Sequence, residues 1–100
     1  LALNQAPTVT LSVSPSSAIG GTTFMFVADA SDPEGDELEY RIDLDASTGL
    51  NWDDDYFISS GKQKWPVSTT RYSAGLHTAV VEVKDVFGKT AIDTVEWRVF

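Results

Sequence analysis

The sequence predicts an all-β chain folded as a two-sheet sandwich. Three observations predict it. Apolar and polar residues alternate along several short runs, which is the period of a half-buried strand. Gly, Pro, Asp and Ser clusters separate those runs at short intervals. No run shows the 3.6-residue period of an amphipathic helix.

Residues 1–7 read as a linker, ending at Pro7 just before a strand, and residues 8–100 as one domain. From Thr8 to Val13 the apolar Val9, Leu11 and Val13 alternate with Thr8, Thr10 and Ser12. Ser14-Pro15-Ser16-Ser17 and Gly20-Gly21 are turn chemistry. The second strand spans Thr23 to Ala30, with Phe24, Phe26 and Ala28 on one face. Met25 and Val27 make its other face apolar too, as expected of a central strand. Ser31 to Asp36 is an acidic loop. From Leu38 to Leu44 the alternation sends Leu38, Tyr40, Ile42 and Leu44 inward and Glu37, Glu39, Arg41 and Asp43 to water. A long irregular segment, Asp45 to Asp55, follows. Tyr56-Phe57-Ile58 and Trp65 to Thr70 are short strand candidates, the second broken by Pro66. Leu76 to Lys84 turns Ala79, Val81 and Val83 inward, and Asp85 to Lys89 is a hairpin turn. The last strand runs from Thr90 to Phe100, with Val95, Trp97 and Val99 in one phase. Ile92 falls out of that phase, which predicts a bulge. About seven short strands with these turns predict a Greek-key sandwich of immunoglobulin-like type.

Composition excludes several functions. The net charge is −8, and the few Lys and Arg are scattered, so no basic surface for nucleic acid is expected. No cysteine is present, hence no disulfide framework and no thiolate chemistry. No apolar run approaches the ~20 residues of a membrane span. The chain begins Leu1-Ala2-Leu3-Asn4 without Met, which reads as a module of a longer protein. Eleven of the 15 acidic residues lie between Asp29 and Asp55, with Arg41 the one cation among them. Such crowding destabilises unless water or a cation neutralises it.

Several stretches resemble the polycystic-kidney-disease (PKD) type domain, an immunoglobulin-like module. Asn4 to Pro7 followed by Val9 is similar to its first segment. Phe24 to Asp36, with Asp32-Pro33-Glu34-Gly35-Asp36, is similar to its second strand and following loop. Leu38-Glu39-Tyr40 leads into its third strand, and Gly75 to Asp85 resembles its sixth. Two departures stand out. The Trp-Asp-Phe-Gly-Asp-Gly run of the family is replaced by Ile42-Asp43-Leu44-Asp45-Ala46-Ser47. His77 stands where the family carries a Tyr that makes a corner bond, so that bond must be replaced or lost.

The resemblance implies that Asn4, the Ser31 to Asp36 loop and Asp85 meet at one end of the sandwich. Calcium takes six to eight hard oxygens. The implied ligands of a structural calcium are Asn4, Ser31, Asp32 and Asp85, with Asp36 and Asp29 as weaker candidates. The plain alternative is a solvated turn, since Asp-Pro and Gly-Asp are ordinary turn formers. A second acidic group, from Asp43 to Asp55, is expected at the other end. Counted from Asp43 it lacks the glycine and glutamate of an EF-hand loop, having Thr48 and Asp54 there.

Trp52, Tyr56 and Trp65 are candidates for ligand binding by stacking on sugars or anchoring a protein. Trp52, between Asn51 and Asp53, is expected to be exposed and Trp97 to be core. With His77 the single histidine, no zinc site is expected, and no motif places a nucleophile. The expected function is therefore a non-catalytic accessory module of a secreted or cell-surface protein. It would act as a spacer or as a protein or polysaccharide interaction domain, braced by calcium. A carbohydrate-binding module working through Trp52 is the alternative. A glycoside-processing domain using Asp53-Asp54-Asp55 is a distant one. Expected partners are neighbouring domains of the same chain, a protein or a polysaccharide. No nucleic acid, no membrane insertion of this domain and a monomeric state are expected.

Overall fold

The computed structural model describes residues 5–35, 37–47, 49–53, 57–59 and 62–100. Among them the strands in chain order are β1 (Thr8–Ser14), β2 (Ser17–Ala18), β3 (Thr23–Ser31), β4 (Leu38–Asp43), β5 (Phe57–Ser59), β6 (Lys62–Ser68), β7 (Gly75–Lys84) and β8 (Thr90–Val99). A single 3-10 turn, Thr69–Arg71, follows β6. One sheet has the order β1-β3-β6 and the other β2-β8-β7-β4-β5. β2 pairs parallel with β8, and the other pairs are antiparallel. The expected all-β sandwich is therefore the observed architecture.

Alternation produces the core. β3 sends Phe24, Phe26, Ala28 and Ala30 inward, and β4 sends Leu38, Tyr40 and Ile42. β7 adds Ala79, Val81 and Val83, and β8 adds Trp97 and Val99. Trp97 is the centre of this packing, 1% exposed as expected of a core residue. Phe24 and Phe26 meet its ring at centroid distances of 5.4 and 5.5 Å, the tilted and edge-on geometry that aromatic quadrupoles favour. Each such ring contributes about 2–3 kcal/mol by leaving water.

Four expectations needed correction. Asp43 was placed in the row facing water, yet it is 2% exposed. The chain folds back after β4, and the Asp43 carboxylate receives main-chain N–H groups there. The segment around Ser17 reads as a turn, yet it forms β2. A two-residue strand carries no period, and its pairing partner lies at Arg98 and Val99. Pro66 does not break its strand: β6 runs through it because β6 is a sheet edge, where no neighbour needs the missing N–H. β8 has no bulge. Its register with β7 advances one residue at a time from Gly75 opposite Val99 to Lys84 opposite Thr90. Ile92 simply faces solvent at 55% exposure. The inward position beside it belongs to Asp93, whose Oδ2 accepts the Leu11 amide N–H at 2.7 Å.

β1 begins, β3 ends and β7 turns into β8 at one end of the sandwich, called the leading end below. The opposite, trailing end holds Gly75, Val99 and the segment after β4.

Candidate functional site

At the leading end β3 delivers Ser31 opposite Thr8, and their hydroxyls lie 3.2 Å apart. The acidic loop then turns tightly. The Gly35 amide donates to the Asp32 carbonyl at 2.9 Å. Gly35 has φ 75°, a left-handed conformation that a side chain disfavours. The Gln5 amide donates to Glu34 Oε1 at 3.0 Å, tying the linker to this loop. β7 delivers Asp85, 3% exposed. Its Oδ1 accepts the amides of Phe87 at 3.0 Å and Lys89 at 2.8 Å, so the carboxylate shapes the hairpin turn.

The implied calcium ligands are thus distributed as follows. Ser31 and half-buried Asp32 sit on the loop, and Asp85 sits at the same end on the neighbouring sheet. Asn4 and Asp36 lie outside the described residues. Asp29 stands apart: it is inside β3 on the exposed face, with Lys62 Nζ 3.9 Å from its Oδ2. The donors are carboxylate, hydroxyl and carbonyl oxygens, the hard set that suits calcium. Among the described residues, no three His, Cys, Asp or Glu side chains are grouped closely enough to hold an ion.

The trailing end holds the second acidic group expected there, Asp43, Asp45 and Asp53 among its described residues, joined by His77, which the sequence had not placed with it. Asp43 Oδ1 accepts the Asp45 amide at 3.0 Å, and Oδ2 accepts the Asn51 amide at 2.7 Å. Asp53 Oδ2 accepts the Leu44 amide at 2.8 Å. Asp43 and Asp53 thus organise the loop from within, accepting its main-chain amides. Asp45 Oδ1 accepts from the Ser47 hydroxyl and amide, and Oδ2 lies 2.9 Å from His77 Nδ1. Burial alone would raise the Asp45 carboxyl. The Ser47 and His77 hydrogen bonds, with the His77 charge, outweigh burial and hold it below the ordinary carboxylate range.

His77 Nε2 lies 2.7 Å from the Ser73 carbonyl, and the ring stacks on Trp97 at 4.6 Å. The imidazole thus makes the corner bond that the departure from Tyr had left open. The arrangement has no triad order. Ser47 bonds Asp45 and not the imidazole, and Nε2 is engaged by a carbonyl, so no base addresses the hydroxyl. The signal for this cluster was present in His77 and the Asp-x-Asp run of Asp43 and Asp45, but not their convergence.

The aromatic candidates divide. Trp52, expected to be exposed, is half-buried, with the Arg41 guanidinium 4.1 Å over its ring. Arg41 is itself held by Glu82, Nε to Oε1 2.9 Å. Trp65 occupies an inward position of β6 against the core. Tyr56 lies outside the described residues. Among the described residues no helix is long and apolar enough to cross a membrane.

Neither a protein-family model nor a curated protein matches this sequence. Solved structures do. The PKD domain of an M14-like peptidase from Thermoplasmatales archaeon SCGC AB-540-F20 is similar with a TM-score of 0.75 and 19% identity, over 97% of this chain and 98% of that one. The PKD1 domain of Vibrio anguillarum Epp is similar at 0.62 and 21% identity, over 97% and 96%. A structure of carbohydrate-binding modules from the β-sandwich superfamily is similar at 0.68 and 20% identity, over 98% of this chain but 36% of that one. Identities of this size speak for fold and not for activity. Strand order and these likenesses together give the chain the fold of a PKD-type, immunoglobulin-like β-sandwich domain.

Proposed function

We propose that this domain is a non-catalytic accessory module of a larger secreted or cell-surface protein. It sets the spacing and angle of a neighbouring domain, and calcium braces its leading end. The observation that carries the reading is the Gln5–Glu34 bond: the linker is already docked on the acidic loop, at the end where buried Asp85 sits. Residue 5 and residue 100 also lie at opposite ends of the sandwich, as suits a module placed in line. Asp32 and Asp85 would hold the ion with Ser31, and the linker would add Asn4. Bound there, calcium supplies positive charge that neutralises the crowded carboxylates. The carboxylates for their part tie the linker to two loops.

The test is thermal unfolding with and without millimolar calcium, on wild type, Asp32→Asn and Asp85→Asn. An amide at position 85 still accepts the Phe87 and Lys89 N–H groups but gives up the charge. A ligand at 100 times its Kd stabilises by about 2.7 kcal/mol, a rise of roughly 10–20 °C for a domain this size. Both variants should lose that rise and keep their fold. A wild-type melt insensitive to calcium overturns the brace. A calcium-dependent melt with an unchanged scattering profile of the module and its upstream domain overturns the orienting role alone.

Polysaccharide binding is the second reading, favoured by the likeness to carbohydrate-binding modules. The Arg41 lid leaves Trp52 one face at most for stacking. Retention on an insoluble polysaccharide, lost in Trp52→Ala, is the outcome that reading requires.

A further inference from the structure

The His77 site has a protonation requirement that its geometry imposes. Nδ1 faces Asp45 Oδ2 at 2.9 Å, and Nε2 faces the Ser73 carbonyl at 2.7 Å. A main-chain carbonyl can only accept, and so can an ionised carboxylate. A neutral imidazole has one N–H and one bare lone pair. It satisfies one of these partners and points a lone pair at the other. Only the imidazolium, with two N–H groups, satisfies both.

We propose that His77 is held as an imidazolium in the folded domain and acts as a pH-sensitive latch joining the segment after β4 to β7. The surroundings agree. Asp45 stays ionised, since Ser47 and His77 both bond it. The imidazole is stacked on Trp97 with the planes 29° apart, and an indole face attracts a cation through its quadrupole. Tyr72 meets the imidazole edge-on at 5.8 Å. Tyr72 and Asp45 are the titratable groups facing the ring among the described residues. The packing from β8 is Trp97, backed in turn by Phe24 and Phe26 of β3, and none of the three carries a charge. On β8, Glu96 and Arg98 flank Trp97 but are exposed on the other face.

Deprotonation breaks one bond whichever nitrogen loses its proton. Loss from Nδ1 frees Asp45 and with it the loop. Loss from Nε2 frees Ser73 and the corner before β7. The bonds that remain do not titrate in the same way: Ala46 N to Thr78 O at 2.7 Å and Trp97 Nε1 to Leu44 O at 2.9 Å. The latch is therefore closed on the acid side of the ring's titration and opens as pH rises through it. In strong acid, below the ordinary carboxylate range, a second limit appears, where Asp45 takes up a proton and the pair fails from the other side.

His77 is the single histidine, so its ring nitrogens can be read by nitrogen-15 NMR on wild-type protein without assignment by mutation. Both nitrogens should show protonated shifts at pH 7. One protonated and one bare nitrogen at pH 7 overturns the proposal. On raising the pH, the protection factor of the Ala46 amide, where Nδ1 gives up its proton, or of the Tyr72 amide, where Nε2 does, should fall at least tenfold in step with the ring's titration. Ring titration with unchanged protection would leave the charge and overturn the latch. Asp45→Asn should shift the ring's titration to lower pH, and an unmoved titration counts against Asp45 as the partner that holds the proton.

Discussion

Asp43 shows how one side chain can reverse what strand phase predicts. Its position in the alternation belongs to solvent, but two loop amides converge on it at 3.0 and 2.7 Å. Hydrogen bonds to a charged acceptor are worth about 1.5–3 kcal/mol each. Asp43→Ala should therefore cost about 2–4 kcal/mol in urea unfolding. Asp43→Asn keeps one acceptor oxygen and should cost about half as much. Asp45 makes a separate prediction about pH. Its folded-state carboxyl titrates below the unfolded value of about 3.9. The stability it contributes is thus present above about pH 4 and lost as pH falls through the folded value. The gap in melting temperature between wild type and Asp45→Asn should be wide at pH 6 and close toward pH 2. A gap that widens in acid would contradict the sign. Neither role was visible in the residue types alone. An acidic loop looks the same in sequence whether its carboxylates face water, an ion or their own backbone.

At the scale of elements, the two sheets meet along β1 and β8 without forming a ladder there. The Asp93 carboxylate bridges that seam by accepting the Leu11 amide at 2.7 Å. It pairs an amide that β3 does not use, and so covers part of the β1 edge. Asp93→Ala should cost about 1–3 kcal/mol by leaving a part-buried N–H without its acceptor. Its neighbour Ile92, exposed on the outer face, serves as control: Ile92→Thr should change stability by less than about 0.5 kcal/mol. Equal effects of the two in chemical denaturation would show that the seam contributes nothing. Long strands were readable because alternation over six or more residues leaves few other readings. β2 was not, because two residues have no period. The phase change at Ile92 was real but was misread as a bulge, since an inward Asp looks like an error until Leu11 is placed beside it.

The whole molecule is elongated, 52 × 23 × 17 Å, and the last strand closes two of its pairings. β1 pairs with β3, yet β2 pairs with the last strand, Ser17 opposite Arg98. Non-local pairing requires loop closure before contacts form, so folding should take milliseconds to seconds. Stopped-flow fluorescence can follow this through the three tryptophans, of which Trp97 is the buried one at the core. A microsecond folding phase carrying the full signal would be inconsistent with this topology. The same elongated form separates the two polar ends: the carboxylates proposed for calcium lie at one and the His77 latch at the other. Removing calcium and raising pH should therefore act independently, each on its own loops.

The strand pattern alone was enough to name a two-sheet all-β sandwich, because side-chain direction in a strand depends on residue parity and not on distant partners. The same holds for Trp97 in the core and for the turns at Gly35 and Asp85. What required the folded chain was every assignment resting on convergence. Asp43 meeting Asn51, Asp93 meeting Leu11, and His77 meeting both Asp45 and Ser73 join positions whose separation along the chain carries no period. Hydrogen bonds act over about 3 Å. Which donors come within that reach is set by how the sheets pack.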